Sequence, residues 1–210
     1  MKVIMHNSVS LDMSMKNLTV DLKTHYSIVG QFKPDVYLFG SQTAVEAINK
    51  PSPENPDDFN EPIKKSPYWV IIDSKGKMEN LLHNFRKSSY VGPLIILVSE
   101  KTPKSYLNYL EKRDYNYHIV GKNYVNYKES MKILEEKYST KTIVVDSGGI
   151  LNSFLIEQKL IDEISLLINP SVTGEKNLNL FRNIKSPLKL ELLKHEKVKD
   201  LLWTVYKIIY

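Results

Sequence analysis

The chain has 210 residues with a formal net charge of +5, and 42% of its residues are hydrophobic. This length and apolar content suffice to bury one substantial core, so we expect a single domain over residues 1–210. Cysteine is absent, which excludes disulfides, thiolate zinc sites, iron–sulfur clusters and a cysteine nucleophile.

Hydropathy and charge patterning bear on membranes and nucleic acids. No apolar run approaches the ~20 residues that cross a bilayer, and the N-terminus has the pattern of a strand rather than of a secretory leader. The lysines are scattered with acids between them, which favours a solvated surface over a nucleic-acid-binding patch. We therefore expect a soluble, cytoplasmic protein that binds no membrane and no nucleic acid.

The N-terminal region is predicted to form a strand followed by a helix. Residues 2–10 have the pattern of a first strand. Residues 20–32 then have helical spacing, which places Leu22, Tyr26 and Val29 on one stripe. We expect that stripe to pack on the core.

A second strand–helix pair comes next, and a long loop follows it. Residues 36–39 form a short apolar strand, and a helix is expected over residues 43–48 with Ser41 or Thr43 as its cap. Residues 51–67 contain five prolines among Asn, Asp and Glu, too many breakers for regular structure. This segment is predicted to be a loop and is a candidate lid over a site.

The rest of the chain continues the alternation and ends in a hairpin. Further strands are predicted over residues 68–73, 94–98, 117–120, 142–145 and 164–170, and further helices over residues 79–87, 103–113 and 127–138. Residues 188–193 and 201–209 are extended segments joined by a polar turn, which is typical of an antiparallel hairpin. The pattern indicates an α/β body that is closed by this hairpin.

A glycine pair lies between the strand at 142–145 and the helical pattern that begins near Leu151. Gly148 and Gly149 allow close approach of a ligand, and the unpaired N–H groups of the next helical turn carry partial positive charge. Such a turn can receive a phosphate, although glycine also serves tight turns that have no ligand. Open α/β sheets bind ligands at the carboxyl ends of their strands, which is where this turn is expected.

Four blocks, in order along the chain, resemble one known family. The first three blocks are SLD at 10–12, DVYLFGSQT at 35–43 and VIIDSK at 70–75. The fourth block is DSGGILN at 146–152, and it is followed in order by LIDE, a strand that ends in Pro, a Gly and LF. The ordered set is similar to the riboflavin-biosynthesis reductases, the RibD C-terminal domain family of the dihydrofolate-reductase-like superfamily. The resemblance implies a three-layer α/β fold with a mostly parallel central sheet and a C-terminal antiparallel hairpin.

The same resemblance implies an activity, a cofactor and a set of site residues. The family reduces a ribosylamino-pyrimidine phosphate with NADPH, and homodimers are expected by analogy. Its cofactor positions fall on Ser8, Gly40, Thr43, Ser99, Ser147, Gly148, Gly149, Ile150, Leu151 and Asn152. The acid before its glycine run, here Asp146, is implicated in the substrate pocket.

Residue chemistry supplies further candidates at the strand ends. If the strands that end near Asp12, Gly40 and Asp146 are neighbours, their ends share one edge. Ser41 then has a hydroxyl suited to phosphate or ribose, and Lys75 or Lys101 is a candidate for the 2′-phosphate of NADPH. A lysine directly after a strand is, however, usually a solvated surface residue.

Two further expectations concern the acid and the glycine pair. Asp12 is a candidate to orient substrate or relay a proton if burial raises its pKa, and is otherwise a turn residue. Gly149→Asp is expected to abolish cofactor binding in a protein that stays folded.

Departures from the family pattern bear on the substrate. The chain has Met13-Ser14-Met15-Lys16 where the family has Gly and a basic residue, and it lacks the family's Asp-Asp-Pro block after residue 43. Two alternatives therefore stay open: a dihydrofolate- or pteridine-type reductase, and a nucleotide-binding protein without catalysis. The five histidines show no ligand-like spacing, so a structural or surface role is expected for each of them and no metal site is predicted.

Overall fold

The computed structural model describes residues 1–55, 67–174 and 178–210. The chain divides into two compact units, one formed by Met1–Pro34 with Lys141–Tyr210 and the other by Asp35–Thr140. The first unit holds β1 (Lys2–Ser10), α1 (Leu22–Gln31), β6 (Thr142–Val145), α6 (Gly149–Glu157), β7 (Glu163–Asn169), β8 (Lys189–Val198) and β9 (Leu201–Ile209). The second holds β2 (Val36–Gly40), α2 (Ser41–Ala47), β3 (Tyr68–Ile72), α3 (Leu82–Lys87), β4 (Leu94–Val98), α4 (Lys104–Lys112), β5 (Asn116–Ile119) and α5 (Tyr127–Tyr138). The assignment of one domain to the whole chain stays a prediction.

The strands of the first unit lie in the order β6-β1-β7-β9-β8. β1 pairs in parallel with β6 and β7, and β9 pairs antiparallel with β7 and β8. Residues 143–145 of β6 are completely buried, which explains a β-branched run without polar alternation. Met5 lies opposite Val145, so the second half of β1 extends past the end of β6 and lies beside the glycine turn.

Helix α1 buries a different face from the predicted one. Leu22 is 62% exposed and Tyr26 is 44% exposed, whereas Thr24, His25 and Ile28 are buried beside the predicted Val29. The prediction assumed that only apolar side chains face inward. Here two polar residues are buried with hydrogen-bond partners, Thr24 with Asp21 and His25 with Ser8, which removes the cost of burying them.

The second unit contains a four-stranded parallel sheet in the order β5-β4-β3-β2. Its core is rich in aromatic side chains: Tyr106, Tyr109 and Tyr115 are buried, and each neighbouring pair stacks with ring centroids 5.9 Å apart. The Arg113 guanidinium lies 4.1 Å from the centroid of the Tyr109 ring and forms a two-point ion pair with Glu54. A parallel sheet aligns the carboxyl ends of its strands at one edge.

Several predicted boundaries in this unit are corrected. α2 begins at Ser41 with Gly40 as its N-cap and no side-chain cap bond, so the predicted caps Ser41 and Thr43 are wrong. α3 begins at Leu82 rather than at residue 79, and Pro103 is the N-cap of α4 rather than a residue of its first turn. Residues 51–55 have no regular structure, as predicted. Residues 56–66 of the candidate lid lie outside the described residues.

The C-terminal hairpin is confirmed, with a longer first strand than predicted. β8 continues to Val198, and its register with β9 shifts between Leu192 and Lys194, which is the mark of a β-bulge. The predicted fold class, α/β with mostly parallel strands and a C-terminal antiparallel hairpin, is confirmed. No helix within the described ranges has the length and apolar character needed to cross a bilayer.

Candidate active site

The turn between β6 and α6 leaves one glycine open. Gly148 is the N-cap of α6 in an extended conformation with φ −71° and ψ 164°, and no side chain caps the helix. A Cβ built on Gly148 would meet nothing within 4 Å. The space beside Gly148 at the N-terminus of α6 is therefore open, and the helix dipole favours an anion there.

Gly149, the second glycine of the turn, has a different structural role. A Cβ on Gly149 would lie 2.6 Å from the backbone carbonyl oxygen of Leu180, closer than any van der Waals contact allows. Gly149 is thus required for close packing of α6 against the chain near residue 180. The side chain in Gly149→Asp would displace this backbone, so we expect that variant to be destabilised as well as impaired in cofactor binding.

Two asparagines hold the turn from the inside of the protein. Asn7 Nδ2 and Asn152 Nδ2 each donate a hydrogen bond to the Ser147 carbonyl oxygen at 2.9 Å, and Asn152 Nδ2 also donates to Asn7 Oδ1 at 2.9 Å. Asn152 is 1% exposed and Asn7 is 5% exposed. The side chain of Asn152, a predicted cofactor residue, therefore stabilises the turn that precedes α6.

We expect Asn152→Ala to lower the free energy of unfolding by about 1–3 kcal/mol, because it leaves Asn7 Oδ1 buried without its donor. Denaturant unfolding at neutral pH measures the change. Asn123→Ala is the matched control, since Asn123 is exposed and only its backbone carbonyl accepts a bond, from Ser99. Equal stabilities of the two variants would contradict a structural role for Asn152.

Asp146, directly after β6, is held by a histidine of α1. Its Oδ2 lies 3.1 Å from His25 Nε2, and the side chains are 28% and 6% exposed, respectively. His25 Nδ1 in turn lies 2.9 Å from the Ser8 hydroxyl of β1. Ser8, a predicted cofactor residue, is buried, and its hydroxyl bonds to His25.

A second buried histidine lies against the first. The rings of His6 and His25 have centroids 4.5 Å apart. His6 Nδ1 lies 2.8 Å from the Ser165 hydroxyl oxygen, which accepts the indole N–H of Trp203 at 2.9 Å. Burial, with a smaller contribution from the nearby His25, lowers the pKa of His6 to about 3, so His6 is neutral at neutral pH.

Asp12 serves as an anchor for a loop. Its carboxylate accepts hydrogen bonds from the Ser10 hydroxyl at 2.5 Å, the Thr173 hydroxyl at 3.0 Å and the Gly174 N–H at 3.0 Å. These donors, the Ser10 hydroxyl first among them, hold the pKa of Asp12 well below its usual range. The raised pKa that a proton relay at Asp12 requires is contradicted, and the turn role is the one that its contacts support.

The second unit carries the remaining predicted residues at the carboxyl ends of its strands. Gly40, Ser41 and Thr43 lie where β2 passes into α2. Lys75 and Lys101 are exposed after β3 and β4.

The loops after β3 and β4 are internally supported. The buried Asp73 carboxylate accepts the N–H groups of Lys77 and Met78 at 3.0 and 2.9 Å and so fixes the loop that carries Lys75. Ser99 is completely buried, and its hydroxyl donates to the Asn123 carbonyl at 3.3 Å. A contact of Ser99 with a cofactor stays a prediction, as does a ligand site that joins the ends of β1, β2 and β6.

Sequence reasoning missed the residues that support the site. Asn7 and Asp73 gave a usable signal, because a polar residue within or directly after an apolar strand must find a partner when buried. His25 gave no such signal in the sequence, because only the fold brings α1 next to Asp146. No group of three or more His, Asp or Glu side chains within the described ranges could hold a metal ion.

The mixed α/β fold, with mostly parallel strands and a C-terminal antiparallel hairpin, is a dihydrofolate-reductase-like fold. The model of the RibD C-terminal domain matches residues 1–202. The chain therefore belongs to the RibD C-terminal domain family.

Individual relatives agree with this assignment. The chain is similar to the 2,5-diamino-6-ribosylamino-4(3H)-pyrimidinone 5′-phosphate reductase of Aquifex aeolicus, with 28% identity over 111 residues that cover 49% of this chain and 48% of the relative. The match thus spans about half the length of that curated protein.

Solved structures share the fold. A pyrimidine reductase-like protein from Corynebacterium diphtheriae superposes with a TM-score of 0.77 at 15% identity, covering 100% of this chain and 92% of the other. The riboflavin biosynthesis reductase of Saccharomyces cerevisiae superposes with a TM-score of 0.68 at 18% identity, covering 99% and 90%.

Proposed function

We propose that this protein is an NADPH-dependent reductase of riboflavin biosynthesis. Its proposed substrate is 2,5-diamino-6-ribosylamino-4(3H)-pyrimidinone 5′-phosphate or the deaminated form of that compound. The observation that carries the proposal is the open N-terminus of α6 at Gly148, two residues after the partly exposed Asp146. Family membership and the Aquifex aeolicus relative support the same reaction.

The residues of the β6–α6 turn suit a dinucleotide. The uncapped N–H groups at the start of α6 are donors for a pyrophosphate, and the absent Cβ of Gly148 leaves room for it. In the proposal, residues 147–152 bind this part of the cofactor, and Ser8 contributes from β1. In the second unit, the proposed cofactor residues are Gly40, Ser41, Thr43 and Ser99, with Lys75 as the proposed partner of a 2′-phosphate.

When bound, the nicotinamide supplies the hydride, and the protein supplies position, electrostatics and a proton. Reduction of the opened imine adds a hydride to the ribosyl C1′ and a proton to the imine nitrogen. Asp146 is the proposed group for the substrate side, since its side chain is 28% exposed. Asp12 stays ionised at neutral pH because its pKa is lowered, and it holds the loop at Thr173 and Gly174 in place.

Oxidation of NADPH, followed by the loss of absorbance of the reduced nicotinamide, tests the proposal. Turnover with the ribosylamino-pyrimidine phosphate is the expected result. Turnover with dihydrofolate alone would replace the proposal by a folate- or pteridine-type reductase. Tight NADPH binding without turnover on either substrate would replace it by a nucleotide-binding protein that lacks catalysis. Parallel titrations with NADH measure the cofactor preference.

We also propose that the chain acts as one domain, forms a homodimer by analogy with its family and works in the cytoplasm on a small-molecule substrate. Sedimentation velocity at micromolar concentration tests the dimer. A single species with the mass of one 24.3 kDa chain would overturn it.

A further inference from the structure

Three side chains of the first unit form a continuous hydrogen-bonded chain that ends at the proposed substrate group. The Ser8 hydroxyl lies 2.9 Å from His25 Nδ1, and His25 Nε2 lies 3.1 Å from Asp146 Oδ2. The three residues come from β1, α1 and the turn after β6. Only the tertiary structure brings them together, because 121 positions separate His25 from Asp146.

Ser, His and Asp are also the residues of a hydrolytic triad, but here their order from the buried end to the exposed end is reversed. In a hydrolase the hydroxyl meets the substrate and the carboxylate is buried behind the histidine. Here Ser8 is 8% exposed within β1, whereas the Asp146 side chain is 28% exposed and that of His25 is 6% exposed. The carboxyl group is therefore the working end, and Ser8 is the buried support.

We propose that His25 is a positioning residue that orients the Asp146 carboxyl group and shares with it the proton that the reduction consumes. This inference rests on the proposed reductase function. It adds a residue that neither the sequence motifs nor the family resemblance identify.

The hydrogen-bond chain permits the proton to move with little rearrangement. When the His25–Asp146 pair holds the shared proton, that proton lies either on His25 Nε2 or on the Asp146 carboxyl group. His25 Nε2 and Asp146 Oδ2 are 3.1 Å apart. In both forms His25 Nδ1–H donates to the Ser8 oxygen, so Ser8 keeps the ring orientation unchanged. The pair then gives one proton to the imine nitrogen as C1′ receives the hydride, and solvent at the exposed Asp146 edge replaces it.

The groups around His25 are compatible with this role. His6 from β1 lies against the ring, and Tyr26 of α1 contacts its edge with centroids 5.1 Å apart. Burial lowers the pKa of His6 to about 3, so His6 places no positive charge beside His25 at neutral pH. Asp146 is the carboxylate that bonds directly to His25.

Two substitutions separate orientation from proton sharing. His25→Ala removes both, and we expect kcat to fall about a hundredfold while the KM for NADPH changes by less than about twofold, because the pyrophosphate turn is left intact. His25→Gln keeps a donor near Asp146 but cannot share a proton. We expect the kcat of His25→Gln to lie between those of His25→Ala and the wild type. As the pH rises, the activity of His25→Gln is expected to fall at a lower pH than that of the wild type.

His118→Gln is the matched control, since His118 also bonds to a hydroxyl, that of Tyr138 at 2.7 Å, but lies in the second unit. We expect its kcat and pH profile to equal those of the wild type. If His25→Gln keeps the wild-type pH profile, or if all three variants lose kcat equally, the inference is overturned.

A measurement without substrate distinguishes failure of this inference from failure of the proposed function. In ¹⁵N–¹H spectra of the imidazole groups, the Nε2–H of His25 is expected to exchange slowly with solvent in the wild type and rapidly in Asp146→Ala. Identical exchange in both proteins would overturn the inference even if the enzyme turns over. Slow exchange of the His25 Nε2–H in a protein without reductase activity would overturn the proposed function but support the hydrogen bond between His25 and Asp146.

Discussion

Gly148→Asp is expected to weaken NADPH binding at least about tenfold, since juxtaposed like charges cost several kcal/mol. The new carboxylate would occupy the open space beside the α6 N-terminus, where the pyrophosphate is proposed to bind. The backbone at Gly148 has φ −71° and ψ 164°, which any residue adopts, and Asp is a favourable N-cap. The thermal stability should therefore stay the same or rise slightly. Calorimetric titration with NADPH and a thermal unfolding curve measure the two effects.

Two matched variants locate the cause of this loss. Gly148→Asn has the same shape without the charge and is expected to retain more of the affinity than Gly148→Asp. Gly149→Ala forces a Cβ to within 2.6 Å of the Leu180 carbonyl oxygen, so it should lower stability by about 1–3 kcal/mol through overpacking. Wild-type affinity for NADPH in Gly148→Asp would refute the placement of the pyrophosphate.

The protein is expected to lose about 2–3 kcal/mol of stability between pH 7 and pH 4.5 through His6 alone. An unfolded histidine binds its proton near pH 6.5, whereas burial lowers the pKa of folded His6 to about 3. Between these values the unfolded state binds more protons, so stability falls as the pH falls, by about 1.36 kcal/mol for each pH unit. Above pH 7 both states are neutral and this contribution vanishes.

His6→Asn isolates that contribution, because asparagine keeps a polar group near the Ser165 hydroxyl but does not titrate. Urea unfolding at several pH values should give a variant curve that is flatter by about 2–3 kcal/mol between pH 7 and pH 4.5. Ile4→Val, a smaller substitution at a buried position of the same strand, should offset the wild-type curve without changing its slope. Equal slopes for His6→Asn and the wild type would contradict a buried, neutral His6.

The strands were predictable because their apolar runs have no other stable location. β4 and β6 have the predicted boundaries, and each is a short β-branched or apolar run between polar segments. The hairpin was predictable for a similar reason, since a polar turn separates two extended segments. The bulge in β8 was not, because its register depends on the pairing with β9.

In helix α1, hydrophobic periodicity predicted the wrong buried face. The apolar stripe through Leu22 and Tyr26 is exposed, and the helix buries Thr24 and His25 instead. A pattern rule treats a polar residue as outward-facing, but a buried polar residue costs little once a partner satisfies it. Those partners come from β1, from the turn after β6 and from the N-cap Asp21, and local sequence does not reveal the first two.

The amino-acid sequence by itself determined the fold class, the family and the position of the glycine turn that is proposed to bind phosphate, because these depend on apolar periodicity and on a local motif. Only the tertiary structure decided that Gly148 is open whereas Gly149 packs against Leu180, that Asp12 anchors a loop and that His25 holds Asp146. Each of these outcomes depends on atoms far apart in the chain, such as Asp12 and Thr173, 161 positions apart. Hydrogen bonding and close packing act on distance in space, and the folded chain alone sets that distance.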